Sequence, residues 1–194
     1  MRFTVTPRLS AWARPMALGL LGLLSAGTAS AAAPTRVTLV GDFQSELGCS
    51  ADGDTACTST DLTYDADDEA WQASFTVPAG TWSYRVALDA GAGGTYGKGA
   101  TLDGEAITLT LGEESPVKFY FDHTSHWAAS RPSSTDNEVI AIAPGSFQSE
   151  LGCPGDWQQD CLRSWLQDPD GDGIYTFTTS ALPAGSYEGK VALY

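Results

Sequence analysis

The string Asp168-Pro169-Asp170-Gly171-Asp172-Gly173 sets three carboxylates at alternate positions, as in the first half of a calcium loop, where hard oxygens converge on one cation. The pattern then breaks. Its twelfth position, where a bidentate glutamate belongs, is Thr179, and Ile174 opens a strand-like run instead of a helix. The weight falls on an acidic turn entering a strand, with calcium at Asp168, Asp170 and Asp172 as the alternative and no other cofactor indicated. His123 and His126 stand three apart, but they are the only histidines and have no third ligand nearby. They read as a polar turn at a strand end. There is no Gly-x-Ser-x-Gly elbow, no His-Glu-x-x-His pair and no phosphate-cradling glycine loop. Acids are plentiful, yet none sits in a setting that suggests the raised pKa of a glycosidase acid. The chain reads as non-catalytic.

Aromatic side chains are the remaining resource. Flat rings on a surface stack on the apolar faces of sugars while polar neighbours take the hydroxyls. Trp71 and Trp82 fall in phase with alternating apolar residues and are expected in the core. Trp157 lies between two cysteines, Trp165 just after them, Trp127 at a strand end and Tyr96 in a glycine-rich loop. These four are the candidate ligand-stacking residues. The acidic balance limits what they meet. Beyond the first 31 residues, 7 basic side chains face 24 acidic ones. Such a field repels nucleic acid and anionic membrane and leaves a neutral polysaccharide unaffected.

The elements that must position these residues come as a repeat. Gly41-Asp42-Phe43-Gln44-Ser45-Glu46-Leu47-Gly48-Cys49 returns as Gly145-Ser146-Phe147-Gln148-Ser149-Glu150-Leu151-Gly152-Cys153, and Cys57 returns as Cys161. Further on, Pro78-Ala79-Gly80 answers Pro183-Ala184-Gly185 with one residue inserted in between. Four cysteines allow three pairings, and the duplication selects Cys49–Cys57 and Cys153–Cys161. Zinc is disfavoured, since the spacing is unusual and no histidine lies in either loop.

Helix signals are nearly absent after residue 36. Residues 36–41, 71–77, 82–88, 106–111 and 116–121 are β-rich runs separated by turn residues. Runs 71–77 and 82–88 are expected to form a hairpin about Pro78-Ala79-Gly80. A second hairpin is expected from 174–179 and 186–194. The fold class is all-β: two tandem immunoglobulin-like β-sandwich modules, the second incomplete, after a cleaved signal peptide. The signal spans 1–31, with Arg2, Arg8 and Arg14 before an apolar run at 16–24 and a small-x-small site at Ala29-Ser30-Ala31. That places the protein in the extracellular medium or the periplasm. Module one spans 36–129, the proline-containing linker 130–137 and module two 138–194. Module two lacks counterparts of 89–127, so the chain is expected to continue and this half to be the looser one.

The Gly41–Cys49 string, the 78–88 run, Tyr96-Gly97-Lys98-Gly99 and Tyr120-Phe121-Asp122-His123-Thr124-Ser125-His126 resemble the tandem N-terminal accessory β-sandwich modules of bacterial pullulanases and related starch-degrading glycoside hydrolases. The resemblance covers module one and the available part of module two. It implies a non-catalytic, α-glucan (starch)-binding accessory role beside a covalently linked catalytic domain. It transfers no ligand residues. A structural spacer or domain-docking sandwich without a ligand is the alternative.

Overall fold

The computed structural model describes residues 2–5, 33–132 and 140–193. The apolar run 16–24, Ala29-Ser30-Ala31, linker residues 133–137, Glu138 and Tyr194 lie outside the described residues. Regular structure among the described residues is strand plus single turns of 3-10 helix. No helix there is long and apolar enough to cross a membrane.

A short strand β1 (Arg2–Val5) precedes the first sandwich, which is built from β2 (Val37–Gly41), β3 (Asp61–Asp65), β4 (Ala70–Val77), β5 (Gly80–Leu88), β6 (Thr95–Tyr96), β7 (Ile107–Leu111), β8 (Ser115–Phe121) and β9 (Ala128–Arg131). One sheet sets β2 between β3 and β5, with β6 and β7 side by side on the far edge of β5; the other runs β3-β4-β8-β9. All pairings are antiparallel, and β3 serves both sheets. Its Asp61 and Leu62 pair with β2, while Thr63, Tyr64 and Asp65 pair with β4. Inward residues Val37, Leu39, Phe43, Val86, Leu109 and Phe119 fill the space between the sheets, each at most 1% exposed.

The expected hairpin of runs 71–77 and 82–88 does not form. β4 pairs with β3 and β8, whereas β5 pairs with β2, β6 and β7. Pro78-Ala79-Gly80 therefore arches from one sheet to the other. Both strands alternate apolar residues toward one core, and facing sheets satisfy that pattern as well as neighbouring strands do. Trp82 fixes the arch: its Nε1 donates to the Pro78 carbonyl at 3.0 Å. A Cβ at Gly80 would lie 3.0 Å from that indole, so only glycine lets the ring lie over the arch. Trp71 is buried as expected; Trp82 is half-buried, edge-on to Phe43.

The second half of the chain repeats this registry in β10 (Ala141–Ile142), β11 (Trp165–Leu166), β12 (Tyr175–Thr178) and β13 (Ala192–Leu193). Ala141 faces Leu166 and Leu193 as Val37 faces Leu62 and Leu88. Gln167 pairs with Thr176 as Thr63 pairs with Gln72, so the inserted residue falls between Thr176 and Pro183. The expected second hairpin is again absent, and among the described residues of 186–194 only Ala192–Leu193 is strand. Val191 and Leu193 are 43% and 67% exposed, where Val86 and Leu88 are 0% and 6%. No counterparts of β7, β8 and β9 lie among the described residues. Beside β12, β1 takes the place that β8 takes beside β4.

Candidate functional site

The repeated string builds a loop. Gln44 is fully buried and donates its Nε2 to the carbonyls of Leu39 (2.9 Å) and Asp54 (3.0 Å) and to Thr60 Oγ1 (3.0 Å). Its Oε1 accepts from the Asp54 N–H at 2.9 Å. Gln148 repeats this, donating to Gln158 O (2.8 Å) and Ser164 Oγ (3.0 Å) and accepting from Gln158 N–H (2.7 Å). The glutamine amide thus stands in for a missing strand partner inside a long loop. Phe43 and Phe147 anchor the same loops, fully buried. Disulfides Cys49–Cys57 and Cys153–Cys161 close their outer ends. Where Asp42 accepts the Ser83 N–H in module one, Ser146 accepts the Glu188 N–H in module two.

On these matched loops, one position differs in a way that matters. The amide of Gly53 donates to the Gly41 carbonyl at 3.2 Å; its counterpart Trp157 donates to the Gly145 carbonyl at 3.1 Å. Both backbones are left-handed, with φ of 72° and 62°. That conformation suits glycine and strains a bulky residue. Trp157 nevertheless occupies it, with 41% of the residue exposed. The ammonium of Lys190 lies 5.6 Å from the ring centroid. Beside it, the Ser149 N–H and hydroxyl donate to Asp156 at 2.9 and 2.8 Å and hold that carboxyl below its ordinary pKa. The result is an exposed indole in a disulfide-closed loop, with the Lys190 ammonium over its ring and Asp156 and Gln158 as its chain neighbours.

The other three aromatic candidates lie elsewhere. Trp127 and Trp165 are each 4% exposed, contrary to the expectation of surface rings. They belong to a second apolar cluster with Ala70, Tyr120, Ala129, Ile140, Ile142 and Leu162, which joins the outer face of β4-β8-β9 to module two. Tyr120 packs edge-on to Trp165, and Trp127 edge-on to Tyr175. Arg163 locks this seam. Its Nε donates to Asp67 O (2.6 Å), one Nη to Ala66 O (2.7 Å) and the other to Glu69 Oε1 (2.8 Å) and Leu151 O (3.0 Å). Tyr96 is half-buried, with the His126 ring stacked on one face at 3.9 Å and 2°. His126 has its pKa lowered, chiefly by burial. His123 and His126 sit in the β8–β9 turn, which the Asp122 carboxylate organises by accepting from Thr124 N–H and Ser125 Oγ.

A seam was not anticipated, although the repeat encodes it. Ile140, Ile142, Leu162 and Trp165 stand where module one has Arg36, Thr38, Thr58 and Asp61. In module one those polar residues bond to one another: Arg36 and Thr38 both donate to Asp61. Polar-to-apolar changes at these four matched positions, in and beside the duplicated strands, mark a docking surface, and comparison of the copies residue by residue reveals it.

The calcium-like string forms the β11–β12 turn, matching the β3–β4 turn of module one. Asp168, Asp170 and Asp172 can each offer one oxygen, all within 4.8 Å of one another. Calcium takes six to eight oxygens. The Asp168 carboxylate already accepts the Asp172 and Gly173 N–H groups at 3.1 and 2.9 Å, as an acidic turn would. Burial, with Asp170 and Asp172 nearby, holds its pKa above the ordinary carboxylate value.

A family model described as the pullulanase X25 domain matches residues 36–128 and 140–194. The chain is 29% identical over 125 residues to an amylopullulanase of Thermoanaerobacterium thermosulfurigenes, covering 61% of this chain and 6% of that protein. It is 29% identical over 161 residues to an amylopullulanase of Thermoanaerobacterium saccharolyticum, covering 80% and 12%. Among solved structures, pullulanase from Bacillus acidopullulyticus aligns over 83% of this chain and 16% of its own, with 20% identity and a TM-score of 0.46. The matched stretch of this chain thus spans 6% and 12% of the length of these curated relatives.

Proposed function

The chain belongs to the pullulanase X25 domain family, and on that premise we propose that it is a non-catalytic accessory unit that holds α-glucan for an exported pullulanase- or amylase-type enzyme. The catalytic domain would be covalently linked. The observation that carries this reading is Trp157. A tryptophan 41% exposed in a left-handed backbone, at the position where the first copy has glycine, occupies a conformation that bulky side chains avoid. Its apolar ring face suits a glucose ring, and the surrounding carboxylate, amide and ammonium suit its hydroxyls. Two disulfides fit an oxidising compartment. With Gly53 at the matching position, module one has no such ring, so this loop gives one contact per chain and no avidity between modules.

Native gel electrophoresis of the chain with soluble starch in the gel tests the reading. The wild type should be retarded relative to a non-binding control, and Trp157→Ala should be retarded clearly less than the wild type. Equal retardation of both proteins would remove Trp157 from the account. Absence of any retardation would favour the second reading, a rigid spacer, which the buried seam supports on its own.

A further inference from the structure

Beneath the rim of the seam lies a cleft of about 430 Å³, within the size range of small-ligand sites. Tyr64, Asp122, His123 and Thr124 reach it from strand ends of module one; Gln167 and Thr176 reach it from module two. The hydrogen bond from Gln167 Nε2 to Asp122 Oδ2 (2.9 Å) ties the two sides together. The cleft therefore exists only in the docked pair.

Its chemistry is specific. Tyr64 is 41% exposed, yet its ring is held by Trp71 at 5.4 Å and by the edge-on His123 at 5.7 Å. A large ring is thus fixed at the mouth before any ligand arrives, which lowers the entropy lost on stacking. The charged groups of the cleft are already committed. Asp68 accepts from Leu162 N–H and Gln72 Nε2, Asp122 from three donors, and Arg163 donates four hydrogen bonds. By contrast, the hydroxyls of Tyr64, Thr124 and Thr176 and the amide carbonyl of Gln167 have no hydrogen-bond partner among the described residues. Three carboxylates against one guanidinium repel an anionic ligand. An immobilised aromatic ring beside neutral hydroxyls and a carbonyl matches a neutral sugar.

We propose that this inter-module cleft is a second saccharide site, which takes a short stretch of neutral glucan with Tyr64 as its stacking platform. This deepens the glucan-binding reading and rests on it. Titration of maltotriose into the whole chain, followed by calorimetry and by amide chemical shifts, tests it. Shifts should centre on Tyr64, Thr124 and Gln167. Tyr64→Ala should weaken maltotriose binding at least tenfold, while Tyr64→Phe, which keeps the ring, should stay within a few-fold of wild type. Trp157→Ala should lose only the shifts around residue 157 and keep those at Tyr64, Thr124 and Gln167, and only the double variant Trp157→Ala/Tyr64→Ala should migrate through starch as a non-binding control does. Should maltotriose shift only residues around Trp157, or bind Tyr64→Ala as tightly as wild type, the cleft is not the site while the glucan-binding reading stands. Should neither starch nor maltotriose bind the wild type, both fall together.

Discussion

Replacing Gln44 by leucine separates a structural role of the repeated string from a role in ligand binding. The substitution keeps much of the side-chain volume and deletes the amide. Of the groups Gln44 serves, Leu39 O retains the Thr60 hydroxyl at 2.8 Å, and the Gly41 N–H was held only at 3.4 Å. The Asp54 N–H and C=O lose bonds of 2.9 and 3.0 Å. A buried polar group left without its partner costs about 1–3 kcal/mol. Asp54 lies near the surface, so water recovers part of this, and the two losses together should destabilise by roughly 2–4 kcal/mol. The Cys49–Cys57 bridge prevents the loop from simply swinging away. For a chain of this size, that corresponds to a fall in melting temperature of roughly 5–15 °C. Urea titration of the oxidised chain, followed by tryptophan fluorescence, should show it, and starch retardation below the transition should be unchanged. A loss below about 1 kcal/mol would mean the amide network is not what orders the loop. Lost starch binding with unchanged stability would show that the string contacts glucan directly.

Trp157→Gly should separate stability from function: relieving the left-handed strain should stabilise the chain by about 1 kcal/mol, while starch retardation weakens. A lower melting temperature for this variant would show that the indole packs for stability. Arg163→Ala removes three hydrogen bonds across the seam and one to Leu151 O within module two, from a side chain only 20% exposed. It should destabilise the chain by about 2 kcal/mol and split one urea transition into two; a single unshifted transition would count against a rigid seam. In acid, Asp89 is informative. The Thr35 hydroxyl, then the Thr35 and Arg36 N–H groups, hold its carboxyl below the ordinary value of 3.8. Because the folded pKa is the lower one, its stabilisation is present above the unfolded value and is lost as pH falls through the folded value. Between pH 5 and 2 the melting temperature of Asp89→Asn should therefore fall less than that of wild type, and parallel curves would refute the assignment.

What the sequence made legible depended on whether a residue's partners were near it in the chain. The strands β2, β4, β5, β7 and β8 follow alternation that any single run displays. The disulfides follow from the duplication. β3 escaped notice because Asp61-Leu62-Thr63-Tyr64-Asp65 has one buried apolar residue. As the strand shared between sheets, it is held by pairing on both edges and needs little burial of its own. The arch at Pro78-Ala79-Gly80 was misread because alternation reports which face is apolar and is silent on which strand lies alongside. Trp127 and Trp165 were misplaced for a related reason. A tryptophan at a strand end reads as exposed unless a second module covers it, and that covering surface is remote in sequence.

The two copies share one scaffold and have diverged at the points where they face something other than themselves. Where Gln44 and Gln148, Phe43 and Phe147, and both disulfides serve the loop internally, the residues are unchanged. Where the outer sheet face meets the other module, Arg36, Thr38, Thr58 and Asp61 are replaced by Ile140, Ile142, Leu162 and Trp165. At the loop tip, Gly53 gives way to Trp157, against backbone preference. A spacer would need the first of these changes and not the second, since a strained and exposed indole adds nothing to docking. Docking alone would also leave the hydroxyls at the seam cleft without purpose. A docked pair that also presents the Trp157 ring to a neutral polymer, as proposed above, accounts for both changes.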